Sequence, residues 1–349
     1  MITIIQQPKP FSFSLELDDL IVQTDEEALS VQLYAGSDLL INEQFNPGVE
    51  GERITVKYSK LIHQLLKVEL PSFNQKVFVQ HKAIKSFKIL IQSAIEINFT
   101  VIKGFRTQLS YDIQKYLGSS WLTRMPTRST HGYHGPLFLS TYPLQTISVM
   151  AKATFENGES SVLKLYSLEP AKMQVVNLNL GVLCGKFQRE FSYIDVYATS
   201  ESETEILPKM RFYLSPYSGS SQDVVVYENR LGGIDCFKLG GKSKSKYSAE
   251  KSNALISDLN ESYFSKNTLE RSINSGFLTS KEHANQAVDM ISSEQLYLVE
   301  NGLFNKIILA NPKMELNKDE LHSFDIEFSY ADALLNNPTT NYIPTYLNI

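Results

Sequence analysis

The sequence has few of the residues that staple small secreted domains, span membranes or bind nucleic acids. It contains two cysteines among 349 residues, too few for a disulfide scaffold, and we predict that Cys184 and Cys236 are small buried apolar residues. No apolar run approaches the roughly 20 residues of a membrane-spanning helix. The formal net charge of -5 opposes nucleic-acid binding, which needs a positive field against the phosphates. We therefore expect a soluble globular protein with no membrane insertion and no nucleic-acid partner.

The N-terminus and the overall composition also indicate a soluble globular protein. The opening residues, MITIIQQPKPFSFS, have no basic flank, no long apolar core and no small-residue cleavage site, so we predict no signal peptide. Hydrophobic residues make up 42% of the chain and charged residues 20%, which is the balance of an ordinary globular protein. At about 150 residues per domain, the length predicts two or three domains.

Alternation of apolar and polar residues is the commonest pattern and predicts β-strands with one buried face. It appears in FSFSLEL, LSVQL and IEINFTV. Over residues 1–104 we predict an N-terminal β-sandwich with one short helix at SKLIHQLLK, capped by Ser59. A second β-rich domain is predicted over residues 105–230, with a hairpin that turns at Asn157 and Gly158.

The last segment, residues 231–349, changes character and predicts a small α+β domain. LTSKEHANQAVDMISS is the strongest helix signal, with Thr279 and Glu282 at the spacing of a capping box. Strands return on both sides of a second Asn-Gly turn, at Asn301 and Gly302, and again in SFDIEFSY. The predicted fold is mainly β, with tandem β-sandwich-like domains followed by a small α+β domain in which one helix packs on an antiparallel sheet.

A stretch near the middle of the chain, VVVYENRLGGIDCFKLGGKSKSKY, combines an apolar run, two glycine pairs and a basic tract. Its GGKS segment resembles the end of a phosphate-binding loop, but that loop needs a glycine where this chain has Cys236. We interpret the glycines as backbone turns. Lys242, Lys244 and Lys246 are interpreted as part of a solvated, flexible connection. No cofactor is predicted.

Two histidines, His131 and His134 in STHGYHGP, lie close enough in sequence to suggest a metal site. Zinc and iron sites need three or four ligands, and the sequence offers no neighbouring cluster of His, Cys or carboxylate to complete one. The surrounding glycines and proline predict an irregular loop, and whether that loop contacts a partner or a metal stays open. Trp121 is predicted to be core. No catalytic elbow of the form G-x-S-x-G is present, so no catalytic, cofactor-binding or metal-binding residue is assigned.

Three longer segments carry a resemblance: RFYLSPYSGSSQDVVVYENRLGGIDCFKLGGK, RSINSGFLTSKEHANQAVDMISSEQLYLVENGLFNKIIL and HSFDIEFSYADAL. Together they resemble a family of phage and prophage tail-associated structural proteins from Bacteroidetes, over about residues 140–335. The sequence departs from the family pattern at the SPYSGSSQD insertion and at KSKSKY, where a shorter polar link is expected. The matching positions are Asn229, Gly232, Gly233, Asp235, Asn274, Gly276, Leu278, Thr279, Glu282, Tyr297 and the tract from Glu327 to Asp332.

The resemblance implies a non-enzymatic virion protein, a tail or baseplate-proximal subunit assembled in the bacterial host cytoplasm. Such a subunit would form a homo-oligomeric ring and bind other tail proteins through loops at residues 118–136 and 215–222.

The competing hypothesis is a carbohydrate-binding or glycan-acting β-sandwich protein that recognises a host glycan or surface receptor. Its binding face would combine carboxylates with a dense aromatic group, Tyr111, Tyr116, Trp121 and Tyr133. A glycosidase would further need two carboxylates roughly 5–10 Å apart across a cleft.

Overall fold

The computed structural model of the protein describes residues 1–47, 51–105, 112–215, 223–256, 259–310, 312–314 and 322–332, and for residues 249–256 and 259–268 it describes the backbone alone. In this part of the chain the fold is mainly β, as predicted: twenty-three strands form five sheets, joined by four α-helices. Antiparallel pairing predominates, and two strand pairs are parallel: Phe11–Phe13 with Ile95–Ile102, and Arg128–His131 with Glu205–Leu214.

The N-terminal block is a β-sandwich, as predicted. A three-stranded sheet, β1-β3-β6, faces a five-stranded sheet, β2-β9-β8-β4-β5, across one apolar core. The elements are β1 (Ile2–Gln6), β2 (Phe11–Phe13), a 3-10 turn (Ser14–Glu16), β3 (Leu20–Thr24), β4 (Leu29–Ala35), β5 (Asp38–Phe45), β6 (Arg53–Val56), α1 (Ser59–Leu65), β7 (Val77–Val79), β8 (Ile84–Ile91) and β9 (Ile95–Ile102).

Two local predictions in this block are wrong in detail. The strand at FSFSLEL ends at Phe13, and a 3-10 turn begins at Ser14. Helix α1 includes Ser59 as its first residue and has Tyr58 at its N-cap, with no side-chain cap. The apolar alternation of β4 is as predicted, because Leu29 and Leu33 are fully buried in the sandwich.

The second block pairs a five-stranded sheet, β10-β16-β15-β12-β13, with a three-stranded sheet, β11-β14-β7. The β12–β13 hairpin turns at Asn157 and Gly158 as predicted, with Gly158 at a φ of 82°. The elements are α2 (Ile113–Ser119), β10 (Arg128–His131), β11 (Phe138–Thr141), β12 (Ile147–Thr154), β13 (Ser160–Leu168), β14 (Gln174–Asn177), α3 (Leu180–Phe187), β15 (Tyr193–Thr199) and β16 (Glu205–Leu214).

Strand β7 belongs by sequence to the N-terminal block but pairs with β14 of the second block. In the same segment Phe73 stacks on Phe304 of the third block, with ring centroids 4.2 Å apart. The Phe73 carbonyl accepts a hydrogen bond from Asn177 Nδ2 at 2.9 Å. This segment therefore crosses from the first block to both of the others.

The third block is a seven-stranded antiparallel sheet, β18-β17-β21-β22-β23-β20-β19, covered by one helix, as predicted. Its second Asn-Gly hairpin joins β21 to β22 at Asn301 and Gly302. Because β17 and β18 form one hairpin, the predicted boundary between positions 230 and 231 falls inside that hairpin. The elements are β17 (Asp223–Glu228), β18 (Ile234–Leu239), β19 (Ser243–Ile256), β20 (Leu259–Asn274), α4 (Lys281–Ile291), β21 (Leu296–Glu300), β22 (Leu303–Leu309) and β23 (Asp325–Tyr330).

Helix α4 is present where it was predicted, but its start is different. Ser280 is the N-cap, and its hydroxyl accepts a hydrogen bond from the backbone N–H of His283 at 3.1 Å. The predicted capping box of Thr279 and Glu282 is therefore wrong. Glu282 instead accepts hydrogen bonds from the backbone N–H and the hydroxyl of Thr127 in the second block, both at 3.0 Å.

The basic tract KSKSKY is not the flexible connection that the sequence suggested. Lys244 and Lys246 lie in β19, which pairs with β20 from Ser243 opposite Ile273 to Ile256 opposite Leu259. Only their exposure to solvent agrees with the prediction. A short polar tract with no apolar face gives no strand signal, because that signal comes from one-sided burial.

Strands β19 and β20 continue well beyond the sheet. Strand β20 contacts β23 only through Arg271–Asn274, and β19 is the last strand of the sheet. Residues 245–256 and 259–270 therefore form a two-stranded ribbon, named here the β19–β20 arm. At about 3.3 Å per residue the arm is roughly 40 Å long. No strand in the described part of the chain pairs with either of its outer edges.

Candidate functional site

The Asn229–Asp235 motif forms a turn at which the three blocks meet. Asn229 is buried, and its Nδ2 donates a hydrogen bond to the Leu122 carbonyl at 2.9 Å. Its Oδ1 accepts hydrogen bonds from the backbone N–H of Leu231 at 2.9 Å and of Gly233 at 3.0 Å. The chain leaving the N-terminal block joins here as well, since the N–H of Phe105 donates to the Arg230 carbonyl at 2.7 Å.

The two glycines of this turn are required by close backbone approach. A Cβ on Gly232, whose φ is 76°, would lie 2.1 Å from the Lys103 carbonyl oxygen, and one on Gly233 would lie 2.1 Å from the Leu122 carbonyl oxygen. Those distances are far inside van der Waals contact, so no other residue fits. The prediction that these glycines turn the backbone is confirmed, and neighbouring protein backbone occupies the space beside them.

Asp235 follows the turn in β18 and is fully buried. Its carboxylate accepts hydrogen bonds from Thr123 Oγ1 and from the Arg124 backbone N–H, both at 2.6 Å. Burial raises the pKa of Asp235 to about 7, and the hydrogen bonds from Thr123 and Arg124 oppose that rise. Asp235 therefore fastens the segment after α2 to the third block.

Ion pairs add to the same junction. Arg230 pairs through Nε with Asp289 of α4, and its backbone N–H donates to the same carboxylate at 3.2 Å. Lys103 at the end of the N-terminal block lies 3.4 Å from Glu228 of β17, and both side chains are largely buried. Burial raises the pKa of Glu228 to about 6, opposed by the charge of Lys103.

The opposite face of β18 borders a cleft of about 360 Å³ between the second and third blocks. Strand alternation directs Cys236 and Lys238 to this face. The remaining walls are β10 with Tyr213 from the second block, and residues 275–279 with one face of α4 from the third block. This cleft, called the β10–β18 cleft below, gathers residues from three motifs that lie far apart in the sequence.

His131 forms part of the cleft wall. It is the last residue of β10 and only 8% exposed, and its Nε2 lies 2.8 Å from Ser129 Oγ. Burial, with smaller contributions from the charges of Lys238 and His283, lowers the pKa of His131 to about 3. The ring is therefore neutral at physiological pH.

The second histidine of the motif lies elsewhere. His134 follows β10 in an irregular stretch and is itself exposed, and its ring packs edge-on against Tyr133 with centroids 4.7 Å apart. The predicted irregular loop is thus correct after His131, which is itself in a strand. Within the described residues no three His, Cys, Asp or Glu side chains gather closely enough to hold a metal ion.

The cleft carries positive charge without a matching carboxylate. Lys238 is half-buried, and burial lowers its pKa. Neither Lys238 nor the exposed Arg128 forms an ion pair with any described residue. No Asp or Glu belongs to the described lining of the cleft. Sequence reasoning missed this arrangement, because nothing local links β10 to β18.

Both cysteines are free and buried, as predicted, and of the two only Cys236 lines the cleft among the described residues. The remaining sequence candidates lie apart from it. Trp121 is core, as predicted, and its Nε1 donates to the Pro208 carbonyl at 2.8 Å. Tyr116 and Tyr133 are partly buried against apolar clusters, so these three aromatic residues form no shared exposed plane. Tyr111 and residues 216–222 lie outside the described residues.

None of the described helices combines the length and the apolar character that a membrane crossing needs.

Three solved structures that resemble this chain do so only weakly. The sequence matches no protein-family model and no curated protein. Among solved structures, a Salmonella alpha-2-macroglobulin mutant is similar at 9% identity and a TM-score of 0.18, over 94% of this chain and 27% of that chain. The plexin A4 extracellular region follows at 12% identity and a TM-score of 0.16, over 78% and 21%. Native E. coli alpha-2-macroglobulin gives 9% identity and a TM-score of 0.16, over 94% and 23%. The chain spans about a quarter of the length of these structures, and at such TM-scores the likeness assigns no function.

Proposed function

We propose that this protein is a non-enzymatic structural subunit of a phage tail, and that it assembles with copies of itself through the β19–β20 arm. The observation that carries the proposal is the arm itself, a ribbon roughly 40 Å long that leaves the sheet with both outer edges unpaired in the described chain.

Unpaired strand edges favour association. Each edge presents a row of backbone N–H and C=O groups, which a strand from another chain satisfies by β-augmentation. A two-stranded ribbon is also marginally stable in water on its own, so a partner strand would stabilise it. When the arm of one subunit binds a different surface of the next subunit, the contact is head-to-tail. Subunits joined in this way form a closed ring if the rotation between neighbours divides a full turn.

The base of the arm is held firmly. Arg271 of β20 is only 3% exposed and pairs through Nη1 with Glu300 of β21. The same guanidinium donates a hydrogen bond to Tyr330 Oη at 2.7 Å and lies 3.8 Å from Asp223 of β17. Because this network ties β20 to three other strands, it fixes the direction in which the arm leaves the sheet.

The experiment is sedimentation of the full chain at tens of micromolar, beside a variant with a shortened arm. Residues 249–267 are removed and Ser248 is joined to Thr268, its partner in the ribbon, through an Asn-Gly turn. We expect an oligomer for the full chain and a monomer with an unchanged melting temperature for the shortened one.

A matched control separates backbone pairing from charge. Lys244→Gln with Lys246→Gln removes two exposed charges near the base of the arm and keeps every strand edge, so the oligomer should persist. An oligomer that survives shortening of the arm, or a full chain that is monomeric alone and with neighbouring tail proteins, overturns the proposal. Mass spectrometry of purified particles tests the proposed virion location.

A further inference from the structure

We propose that the β10–β18 cleft is a binding site for a small organic oxyanion, a carboxylate or phosphate ester carried on a ring of about monosaccharide size. The inference does not depend on the arm or on a tail function, and it follows from the charge, the shape and the apolar rim of the cleft.

Lys238 contributes a positive charge to the wall of the cleft. Lysine is seldom buried without a partner, because removing an ammonium group from water costs free energy that a counter-charge must offset. The Lys238 side chain is half-buried, and its ammonium group has no ion pair or hydrogen bond with any described residue. A bound oxyanion would supply that counter-charge.

The rest of the lining suits an anion as well. Arg128 stands on β10 at the cleft, and Thr130 and Thr279 add hydroxyl donors. Two acidic residues adjoin lining residues in the sequence. Glu282 is held by two hydrogen bonds from Thr127, and Asp235 by hydrogen bonds from Thr123 and Arg124. His131 is neutral and can donate or accept a hydrogen bond without repelling either charge.

The size and the rim define the remainder of the ligand. A volume of about 360 Å³ lies at the small end of the range of ligand pockets. Phe277 lines the cleft and is 65% exposed, although phenylalanine is usually buried. An aromatic ring at the entrance packs well against the apolar face of a sugar or another ring.

The test is titration calorimetry of the full chain with three probes of similar size: glucuronate, glucose 6-phosphate and neutral glucose. We expect saturable binding of at least one anion and none of glucose, and the two anions distinguish a carboxylate site from a phosphate site. Lys238→Met should weaken anion binding by roughly tenfold or more, the loss of one charge-assisted hydrogen bond.

Two controls keep the result decisive. Lys246→Met makes the same change in charge on the exposed arm and should leave anion binding unchanged, as should shortening of the arm. The melting temperature of Lys238→Met should be no lower than that of the parent chain, because the substitution removes a desolvated charge. If Lys238→Met misfolds, the titration is repeated with Arg128→Gln, which changes an exposed side chain. Absence of saturable anion binding, equal binding of glucose, or unchanged affinity in the cleft variant overturns the proposal.

Discussion

Thr123 donates a hydrogen bond to Asp235 across 2.6 Å, although the two residues lie 112 positions apart in the chain. The second oxygen of the same carboxylate accepts from the backbone N–H of Arg124 at 2.6 Å. One buried side chain therefore uses both of its oxygens to hold the second block against the third.

The first prediction concerns the pH dependence of stability. Burial raises the pKa of Asp235 from 3.8 to about 7, so the folded state binds this proton more tightly than the unfolded state does. Its contribution to stability is fully present below about pH 4 and is lost as the pH rises through 7. Thermal unfolding between pH 4 and 7 should show this decline, and Asp235→Asn should make it smaller.

Two features sharpen that experiment. The pKa of Glu228 is also raised, to about 6, so the stability of the Asp235→Asn variant should still decline as the pH rises, but by less than that of the parent chain. Asp235→Ala leaves the donors of Thr123 and Arg124 unpaired and should cost about 3 kcal/mol across the range. A parent chain and an Asp235→Asn variant with identical pH profiles would show that Asp235 does not titrate there.

The second prediction concerns the glycine turn. Gly232→Ala places a Cβ 2.1 Å from the Lys103 carbonyl oxygen, and backbone must move to relieve that contact. We expect a loss of more than about 3 kcal/mol in the free energy of unfolding, or failure to fold. Gly158→Ala is the matched control, because Gly158 also has a positive φ but nothing lies within 4 Å of its Cβ position. Backbone strain alone should cost about 1 to 2 kcal/mol there, and equal losses in urea denaturation would refute the steric explanation.

The third prediction concerns the base of the arm. Arg271→Met leaves the carboxylates of Glu300 and Asp223 without the guanidinium between them. Breaking a buried ion pair by removing one partner costs about 3 to 5 kcal/mol, which chemical denaturation would detect. Lys82→Met removes a cation from a solvent-exposed pair with Glu69 and should cost less than about 1 kcal/mol. Similar losses in the two variants would mean that the Arg271 network is no more stabilising than a surface pair.

The elements that could be predicted are those whose signal is local. Asn157-Gly158 and Asn301-Gly302 mark their hairpins because both turns need residues that adopt a positive φ. Helix α3 escaped prediction, since its eight residues, LGVLCGKF, are short and largely apolar and show no distinct helical period. Strand β19 was not predicted for the opposite reason: its first residues are polar and exposed on both faces, so they show no apolar alternation.

The cleft is harder still to predict, because each of its walls comes from a different sequence motif. His131, Cys236 and Gly276 each belong to a motif visible in the sequence, and periodicity describes only the element that holds each one. Their meeting depends on long-range contacts at single residues, such as the one between Glu282 and Thr127. Such a contact leaves no repeating pattern in the sequence.

Strand β7 has a practical consequence for anyone who divides this protein into pieces. A fragment that starts near residue 105 would lack Val77–Val79, leaving one edge of β14 bare, and would also lack the ring that stacks on Phe304. Cutting at the apparent domain boundaries should therefore yield fragments that aggregate, whereas the intact chain supplies its own missing strand.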